Sequence, residues 1–143
     1  MRRHNARILA VLTLYNIDVN QLGFEDSLRC FENIQQVEME YEYQVDIDYD
    51  FSRILVVSTM QNIEEIDKMI EKSLVKYTMD RLSYVDRAII RMCTYEMMYS
   101  GIAREVAIDE ALLITREYSN LEDDTQVKFN NRLLDNIAKN IYE

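Results

Sequence analysis

The chain has 143 residues, 48% of them apolar, which suits one domain with a buried core. Two glycines and no proline exclude turn-rich all-β folds, which draw on both residues to set φ, and Gly23 and Gly101 alone cannot write a GxGxxG or GxxxxGK[ST] phosphate loop. The net charge of −10 argues against a general nucleic-acid or anionic-lipid surface, yet residues 1–17 hold Arg2, Arg3, His4 and Arg7 with no acid, so the rest carries −13.

The composition points to helices joined by short polar loops. Arg3 to Ile17 reads as the first helix, with Ile8, Val11, Leu12 and Tyr15 on one face. A loop through Gly23 leads to a second helix from Phe24 to about Glu40, striped by Leu28, Phe31, Ile34 and Val37. From Glu38 to Phe51 polar and apolar residues alternate strictly, the period of a strand. No second segment alternates, so this stretch is expected to be the end of helix two, a short extended linker and a third helix starting near Asp48. The run Ile54 to Val57 belongs to that third helix. Asn62 with Glu65 has the spacing of a capping box, followed by the stripe Ile63, Ile66, Ile70, Leu74 and Tyr77. Ser83 with Asp86 repeats the cap, and Val85, Ala88, Ile89, Met92, Tyr95 and Tyr99 line the helix that Gly101 ends. Ile108, Ala111, Leu112, Thr115 and Tyr118 mark a sixth helix. Asp123 with Gln126 opens a seventh, in which Val127, Leu133, Leu134, Ile137 and Ile141 point inward. The expectation is an all-α protein of about seven helices in one domain, residues 1–143.

Little here suggests chemistry. Cys30 and Cys93 form no CxxC, and one histidine cannot build a metal cluster, so reduced thiols and no cofactor are expected. No segment reaches 18 apolar residues, and Ile8 to Leu14 lacks a signal peptide's cleavage site. A soluble, cytoplasmic protein follows. Glu96, between Tyr95 and Met97, reads either as a tuned carboxylate or as a buried acid paired with an arginine. Arg3 and Arg7 are four apart and project together from the first helix, with Arg2 beside them. Positive charge at a helix N-terminus opposes the dipole, so the three arginines read either as phosphate ligands or as a plain basic end. Phe129, between Lys128 and Asn130-Asn131-Arg132, reads either as a ring for stacking on an unpaired base or as core.

Several of these segments together resemble the NusB family of bacterial transcription antitermination factors. They are Arg3-x3-Arg7 with Ala10-Val11-x2-Leu14-Tyr15; Asp80-Arg81-Leu82 with Val85-Asp86-Arg87-Ala88-Ile89-Ile90-Arg91 and Tyr95-Glu96; Val106 to Ala111; and Lys128-Phe129 with Asn131 and Leu134-Asp135. The resemblance spans residues 80–138 well and 3–15 moderately. It implies seven helices in two subdomains, here 1–75 and 76–143. It also implies binding of the single-stranded boxA element of ribosomal RNA leaders, a heterodimer with the ribosomal protein NusE, and a place in the RNA polymerase antitermination complex. By position Arg2, Arg3 and Arg7 inherit RNA contact, with Lys128, Phe129 and Asn131 near the RNA path, while Tyr15 and Asp86 inherit the protein contact. The chain departs from the family pattern at His4 and Asn5 in place of arginines, at Ala103 for proline, at Asn130 for an apolar residue and at Arg132 for glycine. Its alternative reading is an interaction module of the same fold, monomeric or homodimeric, that has lost RNA binding. An enzyme fragment is a third, disfavoured because the helices use up the chain.

Overall fold

The computed structural model describes residues 1–40, 45–119 and 123–143. Those residues form seven α-helices: α1 (Arg2–Val19), α2 (Ser27–Glu40), α3 (Tyr49–Gln61), α4 (Ile63–Ser73), α5 (Tyr84–Tyr99), α6 (Arg104–Tyr118) and α7 (Thr125–Tyr142). Short 3-10 turns at Phe24–Asp26 and Met79–Arg81 precede α2 and α5. No strand occurs among the described residues.

The alternating stretch resolves as expected where it is described. The α2 helix ends at Glu40, residues 45–48 are neither helix nor strand, and Asp48 caps α3 by accepting the Phe51 N–H at 3.1 Å. Residues 41–44 of the stretch lie outside the described residues. Tertiary bonds anchor this entry: Ser52 Oγ donates to the Ala6 carbonyl at 2.8 Å, and the Asp48 N–H to that of Arg2 at 3.3 Å.

Two of the expected caps form otherwise. The Asn62 side chain reaches back to the Ser58 carbonyl at 2.8 Å, so it closes α3 and forms no capping box with Glu65. Ahead of α7, Asp123 accepts from the Thr125 N–H at 3.2 Å, while Gln126 is drawn to Asn130. Ser83 does cap α5, accepting from the Asp86 N–H at 3.0 Å. Gly101 follows α5 at φ +74°, a left-handed conformation that a Cβ would strain.

The α5 helix is the axis of the molecule. It packs against α1, α3, α4, α6 and α7, and its buried residues, Ala88 through Met97, lie on nearly every side. An all-round apolar helix must be enclosed, and its neighbours enclose it with Leu9, Leu14, Leu55, Ile66, Ile70, Ile114, Leu134 and Ile137. The peripheral helices are less complete. On α2 only Ser27 and Phe31 are buried, and the expected stripe residues Leu28 and Val37 are 45% and 54% exposed. Leu12 on α1, expected inside, is 45% exposed.

Candidate nucleic-acid interface

The amino end of α1 separates its arginines. Arg2 and Arg3 face solvent. Arg2 Nε meets Asp46 at 3.1 Å on the open surface, and the Arg3 guanidinium lies over the Phe51 ring, 4.4 Å from its centroid. Among the described residues Arg3 makes no ion pair.

Arg7 does not share that surface. It is 4% exposed, and its fork closes on Glu96 of α5 in two 2.8 Å bonds, Nε to Oε1 and Nη2 to Oε2. One turn of helix points Arg3 outward and Arg7 inward because α5 lies beneath α1. Burial works against the Arg7 charge, but the bond and charge of Glu96, with Glu110 beyond, hold its pKa above the ordinary value. Arg7 is therefore a pillar between α1 and α5, and Glu96 is the paired acid of the two readings. Beside them Cys93 is enclosed, and burial, with Glu96 adjacent, pushes its thiol well up. Such a thiol is inert.

His4 is held by α6. Its Nδ1 lies 2.7 Å from Glu110 Oε2 and its Nε2 3.4 Å from Glu117 Oε1, both on α6. Sequence reading missed this clamp and the Phe51 platform, since nothing local signals a partner 106 residues away.

Asp86 is the second displaced residue. It is 4% exposed, and its carboxylate accepts three bonds, from the Ser83 hydroxyl at 2.7 Å, from Ser119 Oγ at 2.6 Å and from Asn130 Nδ2 at 3.0 Å. Asn130, where the family pattern has an apolar residue, is fully buried and also donates to Thr115 Oγ1 at 3.2 Å. Asp86 thus ties the start of α5 to α6 and α7.

The other expected residues scatter over the surface. Tyr15 is half-buried and packs edge-on against Tyr84, ring centroids 6.3 Å apart. Lys128 is exposed. Phe129 is half-buried against Tyr77 at 5.2 Å. Asn131 faces a cleft with Arg104, Glu105, Asp109 and Asp135. Positions 129 and 131 lie on opposite sides of a helix, so one ligand surface cannot take both side chains equally.

Taken together, these features define a helical binding protein whose chemistry is recognition: a cationic helix tip braced by buried ion pairs. Among the described residues no group of three or more His, Cys, Asp or Glu could hold a metal, and no helix is long and apolar enough to cross a membrane.

Residues 4–139 match the model of the NusB family, and the chain belongs to that family. It is 32% identical over 140 residues to the transcription antitermination protein NusB of Borreliella burgdorferi, covering 96% of this chain and 94% of that one. The solved NusB of T. maritima superposes with a TM-score of 0.78 at 30% identity, covering 97% and 92%. A structure of the antitermination factors NusB and NusE in complex with dsRNA superposes at 0.77 with 27% identity, covering 96% of each chain. Membership makes this chain a binding factor and not an enzyme.

Proposed function

We propose that the protein is a transcription antitermination factor that binds a boxA-like single-stranded RNA element of ribosomal RNA leaders together with NusE, in the cytoplasmic RNA polymerase antitermination complex. The observation that carries this reading is the solvent-facing pair Arg2 and Arg3, on a fold whose solved relative was captured with NusE and dsRNA. In the proposed division, the half at 1–75 brings Arg2 and Arg3 to phosphates, and the half at 76–143 brings Lys128, with the Phe129 ring and Asn131 near the strand. Tyr15 contributes to the protein contact.

Titration of a labelled boxA-like strand at several salt concentrations tests it. Three cations, Arg2, Arg3 and Lys128, each releasing about 0.7 counterion, give a slope of roughly −2 for log K against log[salt]. A flat salt response retires the RNA reading. The second reading, an interaction module without RNA binding, draws support from the acids that hold the amino-terminal arginines and histidine: Asp46 on Arg2, Glu110 and Glu117 on His4, and Glu96 on Arg7. It expects NusE to bind while RNA does not.

A further inference from the structure

Each ring nitrogen of His4 faces a carboxylate. Nδ1 lies 2.7 Å from Glu110 Oε2, and Nε2 lies 3.4 Å from Glu117 Oε1. The two acids stand two turns apart on α6 and so share a face. An ionised carboxylate only accepts hydrogen bonds, and a neutral imidazole has a single N–H. Only the doubly protonated ring can donate to both acids. The His4 side chain is 14% exposed, so the contact is largely sheltered from water. A positive charge in the first turn of α1 works against the helix dipole. The acids of α6 offset that cost and tie the tip of α1 to α6.

The charged groups around the ring are mostly taken. On α1, Arg3 precedes His4, and Arg7 brings its Nη1 to 3.9 Å from the same Glu110 oxygen. From α5, Glu96 is closed on Arg7 through the two-bond fork. Ahead of α3, Asp46 meets Arg2. From α2, Glu38 lines a groove beside Asn5. Cys93 is enclosed nearby, and burial pushes its thiol up, away from neutral pH. Glu110 therefore shares His4 and Arg7, while among the described residues the one ion pair of Glu117 is with His4. The ring is also the single histidine of the chain, and histidine is the side chain whose charge ordinarily changes between about pH 5 and pH 8.

We propose that His4 is a positioning residue for RNA, a protonated clasp that holds the first turn of α1 on α6 and makes RNA affinity rise as pH falls. The proposal rests on the reading that Arg2 and Arg3 meet phosphates, and it adds a control on them. Loss of the ring proton acts twice, in one direction. It removes a positive charge from beside the two arginines. It also leaves one carboxylate of α6 against a ring lone pair, with its charge no longer offset at the tip that the strand approaches. Both changes work against phosphate. By linkage, RNA that prefers the protonated form draws a proton onto His4 when it binds.

Titration of a boxA-like strand that lacks a terminal phosphate, at about pH 6 and about pH 8 and one fixed salt concentration, tests the inference. The full chain is compared with His4→Gln, which cannot be charged, and His4→Arg, which cannot be discharged. Circular dichroism first checks that each variant keeps the helicity of the parent, and His4→Gln alone decides the matter if His4→Arg unfolds. The parent should bind about threefold more tightly or better at the lower pH, the factor of one charge a few ångströms from a phosphate in water. His4→Gln should lose that dependence and bind as the parent does at the higher pH. His4→Arg should lose it too and bind as the parent does at the lower pH. The amino terminus is the same in all three, so a dependence common to all three belongs to it. Equal pH dependence in the parent and His4→Gln, or no dependence in the parent, overturns the clasp and leaves the RNA reading standing. Failure of the parent to bind the strand at either pH overturns the RNA reading and the clasp with it.

Discussion

Both ends of α1 carry charge of the wrong sign for the helix dipole, arginines at the start and Asp18 at the finish. Each end answers with tertiary ion pairs, but to different depths. At the finish, Asp18 takes Arg87 Nε at 2.6 Å and Arg91 Nη1 at 3.3 Å, and Arg91 holds Asp67 through a two-bond fork. Those charges satisfy one another. At the start, Arg7 and His4 are bound to acids of α5 and α6, while Arg2 and Arg3 remain at the surface. The same kind of charge serves as scaffold where a carboxylate lies beneath it and stays available to a ligand where none does. Sequence position alone does not separate the two, since Arg3 and Arg7 are one helical turn apart.

The scaffold half of this comparison breaks most severely at Glu96. Glu96→Ala leaves the Arg7 cation buried with only Glu110, 3.9 Å from Nη1, as a partner, an expected loss of about 3–5 kcal/mol. Replacing both partners, Arg7→Met with Glu96→Leu, removes the stranded charge and should cost much less. Urea unfolding followed by circular dichroism measures both. A loss under about 1 kcal/mol for Glu96→Ala would mean that the pair does not brace α1.

Asp86 comes next. Asp86→Ala leaves the buried Asn130 amide with Thr115 alone and takes the acceptor from the Ser119 hydroxyl, for an expected loss of about 2–3 kcal/mol. Asp86→Lys should fare worse, because it buries a cation beside the amide. Weakened partner binding in that variant would then track lost helicity. Retained stability with weakened NusE binding would instead restore Asp86 to the interface.

Asp18→Ala at the far end of α1 should be milder, about 1–2 kcal/mol, since Arg91 keeps its fork on Asp67 and both ends of the cluster meet water. A cost matching Glu96→Ala would erase the difference in depth between the two ends.

The helices were legible because 3.6-residue stripes need only local information. The starts of α3 and α5 could be read from Asp48 and Ser83, whose side chains bond within their own first turn. Asn62 misled because its amide had two backbone ends in reach and took the α3 carbonyl. The candidate site was legible only as composition, an arginine-rich helix tip. Which arginine faces out depends on α5, some 89 residues further on, through the Arg7–Glu96 bond. Asp86 looked like a surface acid because its partners Ser119 and Asn130 arrive from two other helices. Leu12 carried the signal of the stripe and yet lies 45% exposed, because how much of a stripe is covered is decided only when the helices assemble.

The smallest effect on stability should accompany the clearest effect on binding. Arg2→Ala with Arg3→Ala removes two side chains whose contacts are a surface ion pair to Asp46 and a cation–π contact with Phe51. An exposed pair contributes little, because water and salt screen it and two long side chains must be held to form it. The double variant should therefore unfold within about 0.5–1 kcal/mol of the parent. Removal of two cations at a helix start also relieves repulsion from the dipole, which pulls the change further toward zero. RNA binding should respond differently. If both guanidiniums meet phosphates, their loss takes about 1.4 from the salt slope at roughly 0.7 per contact on a single strand, leaving the share of Lys128 near −0.7. Titrations at three or more salt concentrations, on protein whose unfolding midpoint matches the parent, read that difference directly. An unchanged slope would show that the exposed end of α1 is as structural as its buried end, and the distinction between the two would be one of burial alone.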